Sequence, residues 1–121
     1  MKKIAIIACT VLIVAITTIT TVQHSRHICR VDATRATLSA IAVASQQFKT
    51  NSNAWPRSLG ALTCDPPYVI FRTHETLDPW GNPILYMPYN TNTGCGVCIS
   101  WGADGKPGGT KQNRDIIVPF K

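Results

Sequence analysis

The stretch IAIIACTVLIVAITTITTV, from Ile4 to Val22, runs for nineteen residues without a charged side chain. About 20 helical residues cross a hydrocarbon layer that is about 30 Å thick, so we predict a membrane-spanning helix within the N-terminal segment 1–25. The alternative is a cleaved signal peptide, but the stretch is longer than the usual signal-peptide core and no small-x-small cleavage pattern follows it. The paired Lys2 and Lys3 favour a cytoplasmic start, which predicts that residues 26–121 are exported.

The exported part is polar and is punctuated by proline and glycine. Its size, about 95 residues, supports only a small core, which excludes a multidomain enzyme with a large buried cleft. From residue 23 onward the chain has ten Lys and Arg against six Asp and Glu, and the basic residues are scattered except for Arg26, Arg30 and Arg35. We expect these three to face lipid headgroups or solvent. We expect no nucleic-acid partner, because no basic stripe is interleaved with aromatic residues.

A helix is predicted from about residue 28 to residue 49, where apolar positions recur every three or four residues. These positions are Leu38, Ile41, Ser45 and Phe48. The stripe needs a partner, which is the protein's own strands, a neighbouring subunit, or both. The turn-forming residues 51–53 predict the end of the helix, and residues 58–62 predict one further helical turn.

After residue 64 the pattern changes to turns and short strands. The predicted turns are residues 65–67 and 78–83, and the predicted strands are residues 84–87, 97–101 and 116–118, the last ending before Pro119. One long N-terminal helix laid against a small antiparallel sheet is an α+β fold.

Three sequence blocks follow the N-terminal helix in a fixed order. They are Asn-x-x-x-Trp-Pro-x-Ser-Leu-x-x-Leu (residues 51–62), Asp-Pro-Trp-Gly-Asn-Pro (78–83) and Ser-x-Gly-Ala-Asp-Gly-x-Pro-Gly-Gly (100–109). Together with the helix they resemble the major pseudopilin of bacterial type II secretion systems, the pseudopilin G family, over residues 36–116. The resemblance implies a pilin-like fold, with the first half of the helix in the membrane.

The resemblance also implies a function. Members of this family are structural, non-enzymatic subunits of a periplasmic filament, the pseudopilus, which takes part in protein export across the outer membrane. The implied partners are copies of the same chain, other pseudopilins and inner-membrane components of the secretion system. The implied location is the bacterial inner membrane, crossed once, with the C-terminal domain in the periplasm.

The chain departs from the family at its N-terminal signal. The family's short leader ends in glycine, and its mature chain has a glutamate at the fifth position. Here no glycine precedes Gly60 and no acidic residue precedes Asp32. We therefore expect a divergent member that lacks the prepilin cleavage signal.

The loop from Gly102 to Gly109 is a candidate metal site, because it has four glycines in eight positions and oxygen-bearing side chains around it. Calcium takes six to eight oxygen ligands with flexible geometry. From the residues alone, a calcium site and an ordinary connection between strands both remain open. The resemblance implies one structural calcium here, with Ser100, Asp104 and Asp115 as side-chain ligands.

Five cysteines are present, and Cys9, inside the membrane stretch, is expected to be inert. The other four lie in the part predicted to be exported, where thiols oxidise. They are Cys29, Cys64, Cys95 and Cys98. Structural disulfides are the favoured interpretation, with Cys95–Cys98 as the first candidate, closing a hairpin. A zinc site, a redox pair and free thiols are the alternatives.

Two other functions remain open from the sequence. One is a membrane-anchored periplasmic module that is stabilised by calcium or disulfides and never polymerises. The other is a thiol oxidoreductase that uses Cys95 and Cys98. No serine or cysteine is spaced with a histidine in a recognisable catalytic motif, so the prediction is a protein that is not an enzyme.

Overall fold

The computed structural model describes residues 1–64 and 76–121, except for the side chains of Thr63 and Cys64. The elements in chain order are α1 (Lys2–Ser52), α2 (Leu59–Cys64), β1 (Leu85–Asn90), β2 (Cys95–Ser100), a 3-10 turn (Lys111–Asn113) and β3 (Ile116–Phe120). The long N-terminal helix and the antiparallel sheet confirm the predicted α+β fold. The chain divides into two compact units, residues 1–30 and residues 31–121.

The first unit, residues 1–30, belongs to helix α1. An 18-residue window in this helix has a mean hydropathy of 2.4, and none of the window is buried. Hydroxyl groups inside the apolar stretch donate hydrogen bonds to helix carbonyls three or four residues earlier, which satisfies them without water. The donors are Thr10, Thr17, Thr18, Thr20 and Thr21. The helix is therefore a candidate membrane anchor by length, composition and internal bonding.

The second unit contains the hydrophobic core, which lies between α1 and the sheet. Leu38 and Ile41 are 0% and 1% exposed, and Ser45 on the same stripe is fully buried. They face Leu62 of α2 and core residues of the sheet, among them Cys98. The predicted stripe is confirmed, and the protein's own strands cover it. Burying a Leu or Ile side chain contributes about 1.5–3 kcal/mol, so this stripe is a main source of the domain's stability.

The end of α1 is fixed by local backbone geometry and by aromatic packing. Ser52 ends the helix, and Asn53 follows with a φ of 55°, the left-handed conformation that commonly terminates helices. Trp55 then stacks on Tyr89 of β1, with ring centroids 4.6 Å apart, and Lys49 Nζ lies 4.6 Å from the Trp55 ring centroid. These contacts join the helix end to the sheet. The predicted helix end and the short following helix are confirmed.

Tyr86 makes a second connection between the helices and the sheet. Its hydroxyl donates a hydrogen bond to the Pro56 carbonyl oxygen at 3.0 Å, and its ring stacks on Phe120 at 5.6 Å. Burial raises the pKa of Tyr86, and a side-chain hydrogen bond with Ser45 partly offsets this. The hydroxyl is therefore protonated at neutral pH and can act as the donor.

The sheet has the order β1-β2-β3, with both pairs antiparallel and with Tyr86, Cys98 and Val118 directly opposite one another. The predicted strands are present with shifted bounds. Pro119 lies inside β3, so the expected strand end before this residue is wrong. In the described part of the chain β3 is an edge strand, where a residue without an N–H group costs no sheet hydrogen bond if it faces outward. The predicted turn at residues 65–67 lies outside the described residues.

Candidate functional site

The loop between β2 and β3 is held closed by its own backbone. The Ala103 N–H donates to the Gln112 carbonyl oxygen at 2.9 Å, which joins the two arms. Gly102 has a φ of 75°, and a Cβ there would come within 2.8 Å of the Gln112 oxygen and 2.9 Å of the Arg114 oxygen. Only glycine permits this close approach of the arms. The four glycines singled out in the sequence, Gly102, Gly105, Gly108 and Gly109, all have positive φ.

A buried carboxylate, Asp78, anchors the start of this loop. Asp78 is 5% exposed, and its Oδ1 accepts hydrogen bonds from the backbone N–H groups of Trp80 at 3.1 Å and Asn82 at 2.8 Å. Its Oδ2 accepts a bond from the hydroxyl of Ser100 at 2.7 Å. Three donors offset the cost of burying the carboxylate. The turn at residues 78–83 is therefore hydrogen-bonded to the last residue of β2.

Asn82 extends the same connection into the loop. Its Nδ2 donates to the Gly102 carbonyl oxygen at 2.9 Å. A Cβ at Gly105 would lie 2.9 Å from Asn82 Oδ1, so this glycine also allows close packing of the turn and the loop. The second and third sequence blocks are thus in direct contact.

From the sequence, Asp78 and Asn82 are predicted only as turn residues, and this anchoring role is not evident. The available signal was Asp78 followed by Pro, Gly and Asn, because an aspartate in that setting commonly accepts bonds from backbone N–H groups just ahead of it. The contact with Ser100, 22 residues away, has no local signal.

The three predicted calcium ligands have different partners. Ser100 is fully buried and donates to Asp78. Asp104 Oδ1 accepts from the Lys106 N–H at 3.2 Å, and both carboxylate oxygens of Asp115 accept from the Gly108 N–H, at 3.0 and 2.9 Å. Within residues 1–64 and 76–121, no group of three His, Cys, Asp or Glu side chains is placed to hold a metal ion.

The residues fit calcium in part. The Ser100 hydroxyl is committed to Asp78, but the two loop carboxylates and the carbonyl groups around them are oxygen donors of the type that calcium binds. Calcium binding stays a prediction, with Ser100, Asp104 and Asp115 as its predicted side-chain ligands.

The two cysteines of the first candidate disulfide lie on one strand of the sheet. Cys95 and Cys98 lie three residues apart on the same strand, β2, and both are free thiols. Side chains alternate along a strand, so residues at this spacing point to opposite faces of the sheet. Their expected bridge would therefore not cross the hairpin between β1 and β2, and it stays a prediction. Cys29 is an exposed free thiol on α1, and the side chain of Cys64 lies outside the described residues.

Cys98 lacks the exposure and the lowered pKa of a redox-active thiol. Its side chain is fully buried, and burial raises its pKa to about 12. Reactive cysteines have a lowered pKa, because the thiolate is the nucleophile. A neutral, buried thiol argues against an oxidoreductase that uses Cys98.

The fold and the anchored loop define a class of protein: a pilin-like subunit whose apolar N-terminal helix leads into a small α+β domain. The sequence model of the family described as "Type II secretion system (T2SS), protein G" matches residues 21–118. A relative from Pseudomonas aeruginosa, "Type II secretion system core protein G", is 33% identical over 99 residues, which cover 72% of this chain and 69% of the relative. The chain belongs to the type II secretion system protein G family, which confirms the resemblance.

The matched range includes all three sequence blocks, strands β1 and β2, and the first three residues of β3. It therefore contains the Asp78 anchor and the loop that this residue holds.

Proposed function

We propose that this chain is a structural subunit of a type II secretion pseudopilus, assembling with copies of itself and with other pseudopilins, and taking part in protein export across the outer membrane. The observation that carries the proposal is the family match over residues 21–118, which spans β1, β2, the start of β3 and most of helix α1 outside the apolar stretch. The small core leaves no room for a large substrate cleft, in keeping with a structural role.

Exposed apolar surface on the first unit supports assembly in a membrane. Between Ile4 and Val22 the large hydrophobic side chains are 50–71% exposed. Exposed apolar surface on this scale requires lipid or neighbouring helices to cover it. We propose that this segment spans the bacterial inner membrane and that the α+β domain lies in the periplasm.

The proposal is tested in a strain that carries this chain and its secretion system. The full-length chain is overproduced, membranes are treated with a lysine crosslinker, and sheared material is inspected by electron microscopy. We expect a ladder of chain multiples and short filaments, with secretion lost when the gene is deleted. Leu12→Arg places a charge in the apolar stretch and should abolish the ladder, whereas the matched control Leu12→Ala should preserve it. A single crosslinked species with unchanged secretion after deletion favours the non-polymerising module instead.

We also propose that calcium in the loop is held by Asp104, Asp115 and loop carbonyl oxygens, and that Ser100 takes no part. Two observations support this restriction of the predicted ligand set: the Ser100 side chain is fully buried, and its oxygen both donates to Asp78 and accepts from the Gly102 N–H. Ligand binding to the folded state raises the melting temperature. We expect millimolar calcium, but not magnesium, to raise it in the wild type and in Ser100→Ala, and to have no effect in Asp104→Ala. No rise in the wild type contradicts calcium binding, and loss of the rise in Ser100→Ala contradicts the restricted ligand set.

A further inference from the structure

A basic helix face begins directly after the apolar stretch, within the first unit. Positions 23, 26, 27 and 30 have the spacing that places residues on one side of a helix. They carry Gln23, Arg26, His27 and Arg30, and no acidic residue occurs before position 32. All four lie in the uninterrupted helix α1, with both arginines exposed. This face is strongly positive and has no acidic neighbour on its own unit.

The depth of the arginines matches the level of lipid headgroups. If Val22 marks the edge of the hydrocarbon, a rise of 1.5 Å per residue places the Arg26 backbone about 6 Å and the Arg30 backbone about 12 Å beyond it. The headgroup layer extends roughly 5–8 Å on each side of the hydrocarbon. Helical side chains point toward the N-terminus, so both guanidinium groups lean back toward the membrane. Arginine side chains are long enough to close the remaining distance.

The spacing also suits one shared phosphate. Residues four apart on a helix have Cβ atoms about 5–6 Å apart, so two guanidinium groups can approach the same anion. Arginine matches phosphate geometry with paired N–H donors and keeps its charge at every physiological pH. Arg30 has a further interaction in the structure, but a guanidinium carries five donors and can serve a phosphate as well.

We propose that Arg26 and Arg30 together hold the phosphate of one anionic phospholipid in the leaflet at the C-terminal end of the apolar stretch. The charge of this face and the headgroup are complementary, and the headgroup is the anion present at this depth in a bilayer. This inference rests on the membrane anchoring in the proposed function. It identifies a lipid contact that fixes the depth and rotation of the anchor.

The test uses the full-length chain in nanodiscs made from equal amounts of phosphatidylcholine and phosphatidylglycerol. Native mass spectrometry counts the lipids that stay bound when the disc is removed. We expect the wild type to retain phosphatidylglycerol severalfold over phosphatidylcholine, and Arg26→Gln with Arg30→Gln to retain both equally. The matched control, Lys2→Gln with Lys3→Gln, removes the same charge at the other end of the stretch and should keep the preference.

A second variant separates a shared phosphate from general charge attraction. Exchanging Ser25 and Arg26, as Ser25→Arg with Arg26→Ser, keeps composition, charge and depth but moves one arginine off the face. We expect the preference to fall as it does in the double glutamine variant. An unchanged preference, or no preference in the wild type, overturns the shared site. A wild-type chain that does not stay in the nanodisc overturns the anchor itself and, with it, the membrane part of the proposed function.

Discussion

Helix α1 contains two regions with the same backbone and opposite surroundings. From Ile4 to Val22 every large hydrophobic side chain is at least half exposed, whereas Leu38 and Ile41 are fully buried. The first region is apolar around its whole circumference, and the second is apolar along one stripe only. A helix that is apolar all round needs a membrane or other helices, and one with a stripe can be covered by a single layer of its own fold. The pattern of hydrophobic residues, not the helix itself, separates anchor from domain.

The largest expected effect comes from truncating one leucine in each region. Leu38→Ala leaves a cavity in the core and should lower the free energy of unfolding of the domain by about 2–5 kcal/mol. Leu12→Ala removes the same atoms from the exposed region and should change the domain's unfolding free energy by less than about 0.5 kcal/mol. Chemical denaturation of the detergent-solubilised chain, followed by tryptophan fluorescence, measures both. Equal effects would contradict the division into two independently stabilised regions.

Adding a methyl group inside the packed region should lower the free energy of unfolding nearly as much as Leu38→Ala does. A Cβ at Gly96 would overlap the ring of Phe120, so Gly96→Ala should cost about 1–3 kcal/mol of unfolding free energy. Phe120→Leu should recover part of this loss in the double variant, because a smaller side chain relieves the overlap. The same denaturation assay measures the cycle. Full additivity of the two substitutions would contradict the contact.

The hydrogen bonds that Asp78 accepts form a small buried network, and this network should contribute to the free energy of unfolding. Asp78→Ala leaves the Ser100 hydroxyl and two backbone N–H groups without their acceptor, for an expected loss of about 1–3 kcal/mol. Ser100→Ala should cost less and should cost almost nothing further once Asp78 is removed. Asp104→Ala is the matched control, because that carboxylate is exposed and accepts from a neighbouring N–H. A loss for Asp104→Ala equal to that for Asp78→Ala would show that loop charge, and not the anchor, is responsible.

The smallest expected effect on stability concerns the buried thiol of Cys98, with Cys29 of the first unit as an exposed reference. Cys98 is buried with a pKa of about 12, and Cys29 lies exposed on the first unit. At pH 8 Cys98 should react with iodoacetamide on the order of a thousandfold more slowly in the folded chain than in the unfolded chain, because burial raises its pKa to about 12 and leaves far less of it as thiolate. Mass spectrometry of alkylated peptides measures the ratio, with Cys29 as the exposed reference. Similar rates in the folded and unfolded chains would contradict the burial.

The same raised pKa has a consequence for stability. The thiol of Cys98 ionises near pH 9 in the unfolded chain and near pH 12 in the folded one. The free energy of unfolding that comes from keeping this thiol neutral is therefore complete below about pH 9, and it is lost as the pH rises toward 12. As the pH rises above about 9, the free energy of unfolding should therefore fall less in Cys98→Ala than in the wild type.

Local sequence signals were sufficient for most of the fold. The end of α1, the short α2 and the three strands follow from turn-forming residues and from hydrophobic spacing, which act over a few positions. The predicted end of β3 before Pro119 is wrong, because whether a strand tolerates proline depends on which side of the strand is paired. The candidate loop is recognisable by its glycines, but the hydrogen bond from Ser100 to Asp78 has no local signal because the two residues lie 22 positions apart.

By itself, the sequence determined the apolar helix, the α+β order of elements and the family, since these depend on composition, periodicity and ordered blocks. Only the tertiary structure decided that Asp78 and Ser100 share a hydrogen bond and that Cys95 and Cys98 point apart. The physical reason is the separation along the chain over which each kind of interaction acts. Helix and strand preferences act between neighbours in the chain, whereas a buried carboxylate finds its donors only after the sheet brings distant residues together.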